Sequence, residues 1–187
     1  MKPFAYICAR TVAEAAAALR EYAGAARVLA GGTDLLLELR RPGARPPAAL
    51  VDISRVDALH GCAREGEEIV LGPLMTHAET ARSSLVGAGA PLLCAAAASI
   101  GSPQIRNRGT LGGNIMNAAA CADTVPPLIA LGATATLESA DGRRDCHMSG
   151  FFVRPYATVA RREELLTRVR FTALPPGARS AFVKLGR

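Results

Sequence analysis

The sequence predicts mixed helices and strands in two parts: a small α/β unit at the N-terminus, then a longer stretch of different character. Three observations predict this. The first fifty-odd residues read as a strand–helix–strand–helix–strand unit, and such crossovers favour parallel pairing. The segment from residue 68 onward places strands beside polar turns and separates them with short, small-residue helices. Half of the 187 residues are apolar and only 20% are charged, which excludes a disordered tail. Aromatics make up 4% and Trp is absent, so the core must be built from Ala, Leu, Val and Ile.

The elements follow in order. Residues 11–23 read as a helix, with Thr11 as N-cap and Glu14 three residues on as its capping-box partner. Gly24 ends it. Arg27-Val28-Leu29-Ala30 is a short apolar strand running straight into Gly31-Gly32. Residues 33–40 resume as a helix, with Leu35, Leu36 and Leu39 on its apolar side. Residues 42–47 form a loop, and Ala49-Leu50-Val51-Asp52-Ile53 is a second buried strand. Glu68-Ile69-Val70-Leu71-Gly72 is a strand. Thr76 caps a helix to Arg82 or a little beyond, with Glu79 completing a capping box. Residues 91–100 form a helix of small residues, followed by a loop over 101–117. Pro126 and Pro127 open a helix over 125–131. Residues 133–139 alternate as a strand and turn at Asp141-Gly142. Residues 163–171 form the final strand, and Phe182 begins a further element.

Composition narrows the function classes. The formal net charge is +6, carried mostly by scattered Arg, which permits an anionic partner without demanding one. No aromatic side chains interleave with those arginines, and no nucleic-acid recognition motif is present. The five cysteines, Cys8, Cys62, Cys94, Cys121 and Cys146, show no CxxC spacing and no iron–sulfur set. They read as reduced thiols of a cytoplasmic protein. Cys146-His147 is a poor chelate spacing, so no metal site is assigned. The first residues lack a signal-peptide core, and no stretch is long and apolar enough for a bilayer span.

Two glycine-rich loops about eighty residues apart carry the chemistry. The first is Leu29-Ala30-Gly31-Gly32-Thr33-Asp34-Leu35-Leu36, and the second is Arg108-Gly109-Thr110-Leu111-Gly112-Gly113-Asn114-Ile115. Glycine lets backbone N–H groups approach an anion without Cβ interference. A helix beginning at Thr33 adds partial positive charge. Two such loops can hold the phosphates of a dinucleotide from opposite sides. Each Gly-Gly pair is equally a tight turn, and neither matches the GxGxxG or Walker A spacing. Arg106 and Arg108 flank the second loop and either neutralise phosphate or lie on a solvated face. No residue is assigned acid–base chemistry, and His77 reads as structural.

The chain resembles the FAD-binding medium subunits of the molybdenum hydroxylases, the family of the xanthine dehydrogenase and aerobic carbon monoxide dehydrogenase flavin domains. The first loop carries the resemblance, with Leu71-Gly72-Pro73-Leu74-Met75-Thr76-His77-Ala78-Glu79. So does Ile100-Gly101-Ser102-Pro103-Gln104-Ile105-Arg106-Asn107-Arg108-Gly109-Thr110-Leu111-Gly112-Gly113-Asn114. Asp123, residues 128–133 and Phe182-Val183-Lys184-Leu185-Gly186-Arg187 complete it. The resemblance implies an α+β, two-subdomain fold of the vanillyl-alcohol oxidase and cell-wall enolpyruvyl reductase type. FAD then lies in the crevice between residues 1–56 and 57–178, and residues 179–187 begin a C-terminal domain that the chain does not continue.

The resemblance also assigns roles. Val28, Leu29, Ala30, Gly31, Gly32, Thr33, Asp34 and Leu35 match the loop that holds the FAD pyrophosphate. Thr110, Leu111, Gly112, Gly113 and Asn114 match the second FAD loop. Asp123 matches a ribose-binding carboxylate, and by itself also reads as a helix cap. Leu71 and Leu166 (or Leu165) match apolar positions near the flavin, and as lone leucines read as core. Lys184 lies near a cofactor-contacting lysine, within a residue of register. The implied role is electron transfer. A large partner subunit carries molybdopterin, a small one carries iron–sulfur clusters, and NAD, a quinone or oxygen accepts the electrons. The alternatives are a stand-alone flavin oxidoreductase of the same fold and a cofactor-free scaffold subunit.

Overall fold

The computed structural model describes residues 4–185. The chain opens with strand β1 (Ala5–Cys8), helix α1 (Val12–Glu21), strand β2 (Ala26–Leu29), helix α2 (Leu35–Arg40) and strand β3 (Ala49–Asp52). These strands form a three-stranded sheet in the order β1-β3-β2, parallel throughout as the crossovers require. Thr11 caps α1 by accepting from the Glu14 amide. The expected capping box is only half formed, because the Glu14 carboxylate accepts from the Arg10 amide and not from Thr11.

A 3₁₀ turn at Asp57–Leu59 leads into the second part. Strands β4 (Cys62–Glu65) and β5 (Glu68–Leu71) form a hairpin. Four helices follow: α3 (His77–Arg82), α4 (Ser84–Gly89), α5 (Pro91–Ala98) and α6 (Pro103–Arg106). Helices α7 (Leu111–Asn117) and α8 (Val125–Ala130) precede strands β6 (Thr134–Ser139) and β7 (Gly142–His147). A small hairpin, β8 (Phe152–Arg154) and β9 (Ala157–Thr158), and the long strand β10 (Leu165–Thr172) end the regular structure. The five-stranded sheet runs β4-β5-β10-β6-β7 and is antiparallel. Strand β10 is placed centrally, as its buried residues Leu165, Leu166, Val169 and Phe171 demand.

The segment 101–117, expected as one loop, contains α6 and α7. Ser102 caps the first of these and Thr110 the second. Ser and Thr here hold the following amides, so short helices form where glycine content argues for loop. Strand β4 and the β8–β9 hairpin lie outside the sequence-derived strands. Both are edge or satellite strands of only 2 to 4 residues, too short for an alternating pattern to register. Residues 173–185 hold no helix or strand. The element expected from Phe182 is therefore absent as far as Leu185, and Gly186 and Arg187 lie outside the described residues.

Two apolar clusters divide the interior. The larger joins Ile69, Leu71, Leu93, Leu111, Leu128, Leu137, Phe151 and Phe171, among others. The smaller joins Ala15, Leu19, Val51, Ile53, Val56 and Leu59 with Leu74 and Leu165. Helix α1 lies between the two sheets, touching β2 and β3 on one side and β6 and β10 on the other. Its Ala15, Ala16, Ala18 and Leu19 are buried, and the three alanines let the helix backbone approach its neighbours closely.

Candidate functional site at the junction of two glycine segments

The carboxyl end of β2 delivers the chain into Gly31-Gly32 with Val28, Leu29 and Ala30 half-buried behind it. Helix α2 begins at Leu35, two residues later than the pattern predicts. Asp34 stands at its N-cap position but makes no side-chain cap. The first helical bond runs from the Leu36 amide to the Gly32 carbonyl, 3.1 Å. The amides of Gly31, Gly32, Thr33, Asp34 and Leu35 have no acceptor among the described residues. A run of consecutive free N–H groups in a turn is a concave donor surface suited to an anion. Gly32 adopts φ +76°, the left-handed region that glycine tolerates best.

The second segment behaves differently. Gly112 and Gly113 sit in the first turn of α7. Leu111 N–H donates to the Met75 carbonyl and Gly112 N–H to the Pro73 carbonyl, both at 2.8 Å. Gly113 N–H donates to Thr110 Oγ1 and Asn114 N–H to the Thr110 carbonyl, both at 3.0 Å. These four amides are therefore already satisfied, and the run of consecutive amides without an acceptor among the described residues belongs to the first segment. Glycine at 112 has a packing reason: a Cβ there would lie 2.5 Å from Pro73 Cβ and 2.9 Å from its carbonyl oxygen. Asn114 is half-buried, and its Oδ1 accepts from Thr124 Oγ1 at 2.6 Å, tying α7 to the start of α8.

The fold brings the two segments into backbone contact. A Cβ on Gly31 would lie 2.8 Å from the Arg108 carbonyl carbon and 3.1 Å from Gly109 Cα. Gly109 is in turn backed by His77 at the start of α3. The Gly109 carbonyl accepts from His77 N–H at 3.0 Å, and a Cβ on Gly109 would meet the imidazole Cδ2 at 3.1 Å. His77 is 3% exposed, and its Nδ1 has no hydrogen-bond partner among the described residues. Burial pushes its pKa down to about 4, against the opposing pull of the Asp123 carboxylate. Histidine chemistry gave no hint of this enclosure; the signal was its place directly after a capping Thr76, whose box with Glu79 forms in full.

Asp123 does not cap α8. Thr124 holds that position, and Asp123 Oδ2 instead accepts from Lys184 Nζ at 2.7 Å. The same ammonium reaches the Ser99 carbonyl at 3.4 Å. Asp123 and Lys184, 61 residues apart, thus form one ion pair beside the second segment. Leu71 and Leu166 are placed differently from the other site candidates. They are 0% and 2% exposed within the larger core, where packing against their neighbours accounts for both, as expected of lone leucines. Leu111 is enclosed in the same way, and Leu35 nearly so. All five cysteines are free thiols. No helix among the described residues is long and apolar enough to cross a membrane.

Comparison with known proteins gives this geometry a context. Residues 2–173 match the family described as FAD binding domain in molybdopterin dehydrogenase. The chain is 36% identical over 184 residues to the carbon monoxide dehydrogenase medium chain of Hydrogenophaga pseudoflava, covering 98% of this chain and 64% of that one. It is 35% identical over 151 residues to the xanthine dehydrogenase FAD-binding subunit of Escherichia coli O157:H7, covering 80% and 51%. Among solved structures it is similar to the Hydrogenophaga pseudoflava carbon monoxide dehydrogenase, with a TM-score of 0.90 over 95% of this chain and 62% of that chain at 36% identity. It is also similar to quinoline 2-oxidoreductase from Pseudomonas putida 86, with a TM-score of 0.88 over 93% of this chain and 61% of that chain at 30% identity. The chain therefore spans less than two thirds of the length of these relatives.

Proposed function

Because the chain belongs to the family of FAD-binding domains in molybdopterin dehydrogenases, we propose that it holds FAD in an electron-transfer subunit of a molybdenum-containing hydroxylase or dehydrogenase. The observation that carries the reading is the junction itself. Five consecutive amides at residues 31–35 have no acceptor among the described residues, and Gly31 packs on the backbone of the second glycine segment as closely as backbone allows. A diphosphate is the group that such a donor run suits. Residues 28–35 hold it, and Thr110, Gly113 and Asn114 border it from the other side. Asp123 receives ribose hydroxyls, with Lys184 fixing the carboxylate. FAD lies extended between the N-terminal part (residues 1–56) and the second part (residues 57–178), in the manner of the vanillyl-alcohol oxidase and cell-wall enolpyruvyl reductase flavoproteins.

When bound, FAD supplies one- and two-electron redox chemistry. The protein's own residues bind and orient it, and no side chain of the junction is required as acid or base. The reading places the chain between iron–sulfur clusters on a small partner subunit and an external acceptor, NAD, a quinone or oxygen. A large partner subunit carries the molybdopterin centre. The medium-chain description of the Hydrogenophaga relative supports such an assembly.

The test is flavin retention. The purified chain, mixed with FAD and desalted, keeps the visible absorption of bound flavin. Asp123→Ala and Gly112→Val each reduce the retained fraction, the latter because its side chain displaces Pro73. A chain that emerges colourless after FAD is added refutes the reading.

A further inference from the structure

We infer that Arg108 is the cationic partner of the diphosphate at the first glycine segment, a reading that rests on the flavin-binding function above. The sequence leaves Arg106 and Arg108 equivalent, but the structure separates them. Arg106 is half-buried, and its Nη1 donates to the carbonyls of Ile100 and Gly101 at 2.9 and 3.0 Å. It closes the turn between α5 and α6. Arg108 is exposed, and its guanidinium makes no hydrogen bond or ion pair among the described residues. Yet its backbone is held in place, because the Arg108 carbonyl is the group packed against Gly31. The base of a long, exposed side chain is thus fixed at the backbone contact with Gly31, the first residue of the free-amide run.

Charge bookkeeping at the junction points the same way. Asp34 is exposed within the donor run and makes no side-chain cap, so it adds a negative charge next to an incoming anion. Of the three cations placed here, Arg106 is committed to carbonyls and Lys184 to Asp123. Arg108 alone of these three has no side-chain partner among the described residues. A guanidinium meets phosphate oxygens through paired N–H donors, which a point charge does not reproduce. Arg108 therefore supplies formal charge where the amides supply only partial charge.

The experiment compares the 187-residue chain with Arg108→Ala, Arg108→Lys and Arg106→Ala. Affinity for FAD is read from flavin fluorescence over a range of sodium chloride concentrations, with ADP and adenosine as competitors. Arg108→Ala weakens FAD and ADP by about tenfold at low salt, the size expected for one partly solvated charge-assisted contact. It leaves adenosine competition unchanged and flattens the salt dependence. Arg108→Lys recovers part of the loss. Equal weakening of ADP and adenosine, or no weakening of either, overturns the inference while leaving flavin binding intact. A wild-type chain that binds neither FAD nor ADP overturns the proposed function and this inference with it.

Discussion

Replacing Gly31 by Ala tests the junction most directly. The new Cβ would stand 2.8 Å from the Arg108 carbonyl carbon and closer still to its oxygen. Carbon atoms pack favourably at about 3.5 Å or more, so the two segments must part by at least about 0.7 Å, and further to clear the oxygen. Both neighbours are backbone, and neither can swing aside as a flexible side chain would. The displacement carries Gly109 with it, and Gly109 is held from behind by buried His77. An overpacked contact of this kind costs about 1–3 kcal/mol of stability. FAD affinity falls by about tenfold or more, since a shift of this size misaligns the amide run relative to the opposite segment. Urea unfolding gives the first quantity and flavin fluorescence titration the second. Gly150→Ala is the control, because a Cβ there meets nothing within 4 Å; it stays within about 0.5 kcal/mol of wild type. Gly31→Ala with unchanged stability and unchanged FAD affinity would refute the close-approach argument.

Two further outcomes concern pH. His77 is held neutral by burial, with its pKa lowered from 6.5 to about 4. Below pH 6.5 the unfolded chain takes up a proton that the folded chain refuses, so stability is lost as pH falls toward 4. His77→Leu removes that loss; its stability relative to wild type rises by about 3 kcal/mol between pH 7 and 4 in urea unfolding. A constant difference across that range would show that His77 is not buried as described. Glu164 is 5% exposed in its side chain, and its carboxylate accepts from Arg144 at 2.6 and 2.8 Å and from the Arg161 amide at 2.7 Å. The hydrogen bonds from Arg144 hold its pKa below the ordinary 4.5, against the effect of burial. This stabilisation is complete above pH 4.5 and disappears as pH falls through the lower folded value. Glu164→Gln costs about 2 kcal/mol at pH 7, reduced from the fully buried case because Arg144 is partly exposed. The variant also shows a shallower acid limb. Equal stability of variant and wild type at pH 7 would contradict this role.

The sequence by itself determined the parallel N-terminal sheet, most of the helices and the chemistry-bearing segments, because each rests on local rules. Alternating crossovers set strand direction, Thr11 and Thr76 set helix starts, and Gly31-Gly32 and Gly112-Gly113 marked where backbone comes close to something. The motifs spanning residues 29–36 and 100–114 likewise sufficed to identify the family. What those residues approach is not local information. Only the tertiary structure decided that Gly31 packs on Arg108 and that the amides of the second segment are already bonded to Met75, Pro73 and Thr110. It alone paired Asp123 with Lys184 across 61 positions, enclosed Leu71 and Leu166 in the core, and gave Arg106 and Arg108 different environments. The physical reason is the same in each case. Hydrogen-bond saturation and burial depend on which distant segment occupies the neighbouring space, and residue type cannot specify that from within its own stretch of chain.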